Sequence, residues 1–175
     1  MGEPTLTEPV RATGRVLILG YGSVLRGDDA AGQRVVQELW RQRCSLGELA
    51  GAKFVLAECL VPEMALDLSA ACLAVFADAA CDARAPGEVK LEWLASGATQ
   101  PAAMGCWQDL TPGVLLGLAR SLYGAGPPAL LVSVGVARLG IGEGLSPPVS
   151  AAVPRAAAAV RTAIGAWARA APKYP

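Results

Sequence analysis

The chain has 175 residues, 53% of them apolar, and these values predict one domain over residues 1–175 with a large buried core. Fifteen basic residues balance fifteen acidic ones, so we expect no general affinity for nucleic acid or for anionic membranes. No apolar run is long enough to span a bilayer and no signal peptide is recognisable, so we expect a cytoplasmic protein. The absence of histidine excludes Ser-His-Asp catalysis, Cys-His catalysis and metal sites with imidazole ligands. The five cysteines include no C-x-x-C pair, so they indicate neither a disulfide framework nor a zinc knuckle.

The first predicted elements are a strand, a glycine-rich loop and a helix. Residues 1–13 are predicted to be a loose tail, and the apolar run Arg15–Gly20 is typical of a strand buried on both faces. The glycine-rich loop, LGYGSVLRGDDAAG at 19–32, has glycines that permit positive φ and a close approach to a ligand. A helix is predicted from Asp29 to about Gln42, because apolar residues recur there at helical spacing.

The glycine-rich loop does not match the common anion-binding loops. Its start has the first two glycines of the dinucleotide-binding pattern G-x-G-x-x-G, but Leu25 occupies the third glycine position, and no Gly-Lys-Ser/Thr follows. Two carboxylates stand where a phosphate would need free N–H groups, which favours a cation or a proton transfer. We predict Asp28 as the helix N-cap and Asp29 in the first turn; the alternative is that both acids merely start the helix.

Strands and helices alternate along the rest of the chain. This order predicts a three-layer α/β/α fold with a mostly parallel, twisted sheet of about five strands and right-handed crossovers. The further predicted elements are strand Phe54–Ala57, helix Glu63–Ala70, strand Leu73–Ala77, edge strand Glu88–Leu94, a loop at 95–111, a helix from Pro112 closed by Gly124, strand Leu130–Val136, and a C-terminal helix to about Ala170 that Pro154 either kinks or begins.

Three acidic residues follow predicted strands. Asp29, Glu58 and Asp78 each come just after the carboxyl end of a different strand. Because parallel sheets bind ligands outside these ends, we expect the three side chains to share one edge of the sheet.

Five pieces of the chain, in order and over most of its length, resemble the hydrogenase maturation proteases. They are LGYGSVLRGDDAAG at 19–32, PEMALDL at 62–68, AVFADA at 74–79, LLGLARSLYG at 115–124 and GEGLSPPV at 142–149. These endopeptidases remove a C-terminal extension from the large subunit of nickel-iron hydrogenases once nickel has been inserted. The glycine-rich loop is the most specific piece, and the last two are more similar to the branch that serves soluble, bidirectional NAD-linked hydrogenases.

The resemblance implies roles for single residues. The family's two acidic nickel contacts fall on Asp29 and Asp78, which are also the candidate catalytic residues. Its third contact is a histidine, which this chain lacks; alignment on LLGLARSLYG places that contact near Gln108. A carboxamide suits nickel less well than imidazole or thiolate, so the thiol of Cys106 is an alternative ligand. Gln108 would in that case be a loop residue with no role in metal binding.

The resemblance also implies the substrate, a nickel-iron hydrogenase large-subunit precursor. We expect the protein itself to be a monomer. We expect nickel to arrive with that precursor, held by its cysteine thiolates, and Asp29 and Asp78 to add oxygen ligands. We predict substrate contacts from the N–H groups between Gly22 and Gly27 and from Glu58. Either a carboxylate or the metal would polarise the attacking water.

Two other functions remain open at this point. With the third contact missing, the protein could bind the precursor as a non-catalytic checkpoint or chaperone. A small-molecule α/β hydrolase or nucleotide-binding protein would instead have a deep apolar pocket at the strand ends.

Overall fold

Five strands form one sheet in the spatial order β2-β1-β3-β5-β4. The computed structural model describes residues 15–43, 47–82, 84–94, 110–142 and 144–170; the predicted tail and nearly all of the predicted loop at 95–111 lie outside these ranges. The elements are β1 (Arg15–Tyr21), α1 (Ala31–Gln42), β2 (Lys53–Ala57), α2 (Met64–Ser69), β3 (Ala71–Ala80), β4 (Val89–Leu94), α3 (Pro112–Tyr123), β5 (Ala129–Gly135) and α4 (Pro147–Ala170).

The sheet is mostly parallel, as predicted. Strands β2, β1, β3 and β5 pair in parallel, and β4 pairs antiparallel with β5 at the edge. The composition explains the difference, since β3 is a nearly continuous apolar run buried on both faces. Strand β4 instead alternates apolar and charged residues, which suits an edge position with one wet face.

Helices cover both faces of the sheet, which confirms the three-layer fold. On one face, α1 and α4 pack against each other and the sheet, and Ile18, Val36 and Ile164 lie in that core. On the other face, α2 and α3 cover a second core centred on Phe76 and Leu115. Burial of these apolar side chains supplies the main stabilisation of the fold.

Two predicted boundaries were wrong, and both concern the acidic residues. Strand β3 does not end at Ala77 but continues through Asp78 to Ala80, because its pairing with β5 extends beyond the end of β1. The first helix begins at Ala31, after a 3-10 turn at Gly27–Ala30, and its N-cap makes no side-chain hydrogen bond. Asp29 therefore lies in the 3-10 turn that leads into the helix.

The later helices begin as their sequence signals predict. Thr111 caps α3 by accepting a hydrogen bond from the N–H of Val114 at 3.3 Å, and Gly124 ends α3 in the left-handed conformation. Helix α4 starts at Pro147 and runs on through Pro154, so that proline does not mark its first turn.

In the described part of the chain, no helix combines the length and apolarity that crossing a membrane requires.

Candidate active site

The candidate site lies where the order of the strands reverses. Strand β1 connects through α1 to β2 on one side, and β3 lies on the other side of β1. In parallel α/β sheets, the crevice outside the carboxyl ends of strands at such a point is where ligands bind. Asp29 follows β1, and Asp78 lies near the end of β3.

Glycines allow the start of α1 to lie directly on the two central strands. A Cβ atom added at Gly32 would overlap the carbonyl oxygen of Ala77 in β3, and one added at Gly20 would lie 2.6 Å from the carbonyl oxygen of Gly32. Helix and sheet therefore approach closer here than any side chain permits. This close contact brings the 3-10 turn that carries Asp29 next to the end of β3.

Asp29 is held by the glycine-rich loop. Its Oδ2 accepts a hydrogen bond from the N–H of Ser23 at 2.7 Å. Gly22 has a φ of 124°, and a Cβ atom there would overlap the carbonyl oxygen of Asp29. Gln33 supports the same loop, since its Nε2 donates to the carbonyl oxygens of Gly22 at 2.7 Å and Ala57 at 2.9 Å.

Asp78 is held from two sides. The hydroxyl of Tyr21 donates to its Oδ2 at 2.8 Å, and the N–H of Ala79 donates to its Oδ1 at 2.7 Å. Each carboxylate oxygen can accept two hydrogen bonds, so each keeps a lone pair for a metal ion or a water molecule. No role for Tyr21 was predicted from the sequence. Its contact with Asp78 depends on the register of β1 and β3, in which both residues lie one position beyond the pair Gly20 and Ala77.

The two carboxylates are close enough to influence each other. Burial raises the pKa of Asp78 above its usual value, the hydrogen bonds from Tyr21 and Ala79 lower it, and the charge of Asp29 raises it further, so that the net shift is upward. Burial also raises the pKa of Tyr21, as does its bonding to Asp78, so Tyr21 stays a neutral hydrogen-bond donor. The site therefore combines a carboxyl group that takes up a proton readily with a second carboxylate, as general acid-base chemistry requires.

Tyr21 supplies the first testable prediction at this site. Replacing Tyr21 with phenylalanine removes the hydroxyl that orients Asp78, and we expect the activity that depends on Asp78 to fall about tenfold, the value of one hydrogen bond to a charged group. The measurement is the rate of the reaction proposed below, with Tyr123→Phe as the control, because Tyr123 is exposed at the end of α3. Equal rates for wild type and Tyr21→Phe would show that the bond does not position Asp78.

Asp28 has a different role from the predicted helix cap. Its side chain is 0% exposed, and its two oxygens accept four hydrogen bonds across more than a hundred residues of sequence. The donors are the N–H groups of Ala137 at 2.9 Å, Arg138 at 3.0 Å and Ser146 at 2.6 Å, and the Ser146 hydroxyl at 2.8 Å. Asp28 thus joins the start of α1 to the connection between β5 and α4.

These bonds predict a pH-dependent contribution to stability. Burial acts to raise the pKa of Asp28, but the hydrogen bonds from Ser146, Ala137 and Arg138 outweigh it, so the pKa in the folded protein is below its usual value. The ionised form is then favoured by folding, and its stabilisation is complete above the pKa of the unfolded chain, about 3.9, and is lost as the pH falls through the folded value. Asp28→Asn should therefore lower the free energy of unfolding at pH 7 by roughly 2 to 4 kcal/mol.

The measurement is denaturant unfolding of wild type and Asp28→Asn between pH 7 and pH 3. The difference between the two proteins should shrink as the pH falls. Asp67→Asn is the matched control, because Asp67 pairs with Lys53 in a solvent-exposed ion pair that should contribute less than about 1 kcal/mol. A difference between wild type and Asp28→Asn that stays constant with pH would contradict the assignment.

The prediction for Gly22 and Gly27 needs a correction. The N–H of Gly22 donates to the carbonyl oxygen of Glu58 at 3.2 Å, and the N–H of Gly27 donates to that of Gly142 at 2.9 Å. Both groups already have partners within the protein, so they do not offer hydrogen bonds to a substrate strand. The two glycines shape the loop instead, since both have positive φ.

The other predicted contacts have separate outcomes. The side chain of Glu58 is exposed at the end of β2, and its predicted contact with the substrate remains a prediction. Gln108 and Cys106 lie outside the described residues. Within those residues, no three carboxylate or thiol side chains stand close enough to hold one metal ion, so Glu58 does not complete a site with Asp29 and Asp78. Two carboxylates alone are a poor resident site for nickel, which prefers nitrogen and sulfur ligands.

One cavity in the described part of the chain lies away from the strand ends. It measures about 390 Å³ and lies between α1 and α4, lined by Arg34, Glu38, Arg41 and Leu145 among others. Five of its eight lining residues are charged or polar, unlike the lining of the apolar pocket that a small-molecule hydrolase would use.

Fold and site together define an α/β protein with a pair of carboxylates at the switch point of a mostly parallel sheet. Solved structures of this class that are similar to the chain are hydrogenase maturation endopeptidases. The hydrogenase maturating endopeptidase HybD from Escherichia coli is 25% identical, with a TM-score of 0.64 over 86% of this chain and 91% of that one. The hydrogenase 2 maturation peptidase of a Thaumarchaeota archaeon is also 25% identical, with a TM-score of 0.62 over 86% and 98%.

A third similar structure is the [NiFe] hydrogenase maturation protease HybD from Thermococcus kodakarensis, with a TM-score of 0.65, 21% identity, and coverage of 86% and 99%. No protein-family model and no curated protein matches the chain. The resemblance found in the sequence is thus confirmed in three dimensions, and the chain has the fold of the hydrogenase maturation proteases.

Proposed function

We propose that this protein is an endopeptidase that cleaves the C-terminal extension of a nickel-iron hydrogenase large-subunit precursor after nickel insertion. The observation that supports the proposal is that Asp29 and Asp78 lie on the two elements that adjoin at the switch point, each fixed by its own hydrogen bonds, with the charge of Asp29 acting on Asp78. The similarity to solved hydrogenase maturation endopeptidases supports it. In this proposal the protein acts on the precursor in the cytoplasm and as a monomer.

The residues of the site suggest how the peptide bond would be attacked. Asp29 and Asp78 lie where a substrate strand could pass along the open end of the sheet. One carboxylate would orient a water molecule and take its proton as it attacks the carbonyl carbon. Asp78, whose pKa is raised by burial, would return a proton to the departing amine.

The nickel ion belongs to the substrate in this proposal. Two carboxylates do not satisfy nickel, but they can add oxygen ligands to an ion already held by the precursor's cysteine thiolates. Asp29 and Asp78 would then contact the substrate fully only when nickel is present. Such contact explains how one site can both recognise the loaded precursor and cleave it.

The experiment is co-expression of the precursor with and without this protein, followed by mass measurement of the C-terminus of the large subunit. We expect a loss of mass equal to the extension, and only in cells supplied with nickel. If the protein binds the nickel-loaded precursor but its mass stays unchanged, the non-catalytic checkpoint is the correct function. Absence of both binding and cleavage would contradict both proposals.

A further inference from the structure

Two loops meet beside Asp29 and present apolar side chains to solvent. One is the glycine-rich loop, and the other joins β5 to α4 and is here called the 137–146 loop. The carbonyl oxygen of Leu25 accepts from the N–H of Gly142 at 3.0 Å, and the carbonyl oxygen of Gly142 accepts from the N–H of Gly27 at 2.9 Å. Arg26 and Gly142 thereby form a short parallel bridge.

The bridge aligns Leu25 with Ile141. Residues directly opposite each other in a parallel pairing point to the same side, so Leu25 and Ile141 are expected to face the same side of the bridge. Ile141 is 99% exposed and Leu25 is 57% exposed, and the next residue back, Val24, is also partly exposed. Covering such side chains with another apolar group removes apolar surface from water and is therefore favourable.

Asp28 keeps this surface in place. Its carboxylate binds the first two N–H groups of the 137–146 loop and both donors of Ser146 at the other end. The segment that carries Ile141 is therefore fixed at both ends to the residue next to Asp29. A buried carboxylate with four donors is a strong anchor for an otherwise exposed loop.

We propose that Leu25 and Ile141 bind an apolar side chain of the precursor close to the scissile bond, and that Asp28 is the positioning residue that holds them there. This inference rests on the proposed function. We assign the precursor as the bound partner because the apolar residues adjoin the carboxylates that would cleave it. Leu25 lies four residues before Asp29, in the loop whose Ser23 N–H donates to the Asp29 carboxylate. Because Leu25 lies two residues after Ser23, whose N–H binds Asp29, the side chain bound at Leu25 would belong to a residue near the cut.

The first test replaces Ile141 with serine. Because this side chain is almost fully exposed, the substitution should leave the melting temperature unchanged while KM for the nickel-loaded large-subunit precursor rises about tenfold, the value of one partly covered apolar side chain. We expect kcat to stay the same. The control is Leu122→Ser, another apolar residue, 62% exposed, near the end of α3, which should leave both KM and kcat unchanged.

The second test addresses Asp28 through Ser146, in case Asp28→Asn does not fold. Ser146→Ala removes one of the four donors and leaves the charge and the backbone bonds. We expect KM to rise about threefold, with faster hydrogen exchange at residues 137–142, and Ser146→Thr, which keeps a hydroxyl, to restore the wild-type KM. A purely structural role would lower only the fraction of active protein, seen as a lower apparent kcat at unchanged KM.

The outcomes separate this inference from the proposed function. If wild-type protein does not cleave the precursor, the proposed function is wrong and this inference with it. If wild type cleaves the precursor and Ile141→Ser has the wild-type KM, the proposed function stands and the apolar contact is wrong. If Ile141→Ser raises KM and Ser146→Ala does not, the contact stands and the positioning role of Asp28 is wrong.

Discussion

Replacing either Asp29 or Asp78 with asparagine is expected to abolish cleavage of the precursor, lowering the rate at least about a hundredfold. Both substitutions keep the shape of the side chain and remove its charge, so the loss would come from proton transfer and oxygen ligation. The measurement is the mass of the C-terminus of the large subunit after co-expression with each variant. Asp67→Asn is the matched control, since Asp67 lies in α2 and pairs with Lys53 at the surface.

The Asp78 variant should stay folded while its activity is lost. The raised pKa of Asp78 means that folding disfavours its charge, so this carboxylate lowers the stability of the folded protein as the pH rises through its pKa. Asp78→Asn removes that charge and can still accept the bond from Tyr21, but its amide NH2 then faces the N–H of Ala79, so that hydrogen bond is lost. Because these two changes oppose each other, we expect a melting temperature close to that of wild type at pH 7, together with lost cleavage. Normal processing by both variants would contradict the assignment of the site.

Replacing Gly32 with alanine is the second change with a large expected effect. Helix propensity alone predicts a gain of about 1 kcal/mol, because alanine is the better helix former. The new Cβ would overlap the carbonyl oxygen of Ala77, however, so α1 must move away from β3. We expect a net loss of roughly 1 to 3 kcal/mol in the free energy of unfolding and a large loss of cleavage, because the movement displaces Asp29 from Asp78.

The control for this change is Gly47→Ala. Gly47 lies in a short 3-10 helix before β2, and a Cβ atom there would meet no other atom within 4 Å. Denaturant unfolding should show little change for Gly47→Ala and a clear loss for Gly32→Ala. A stabilised Gly32→Ala variant with normal cleavage would show that the close helix–sheet contact does not position the site.

The sequence alone determined the order of the elements and the class of fold. A continuous apolar run of strand length, such as that of β3, predicts a strand buried on both faces, and the charged alternation of β4 predicted an edge position. Capping signals were equally local, as Thr111 and Gly124 show at the two ends of α3. These features depend on neighbours within a few residues, and a single sequence contains that information.

The tertiary structure decided which acid does what. Asp28 and Asp29 are adjacent and chemically identical, and local rules made both of them helix-start residues. Only the approach of the 137–146 loop, more than a hundred residues away, gives Asp28 four donors and a buried anchoring role. The pairing of β3 with β5 beyond the end of β1 likewise places Asp78 inside a strand, within reach of Tyr21. Hydrogen bonds between distant segments depend on strand register and helix packing, and local sequence does not encode either of them.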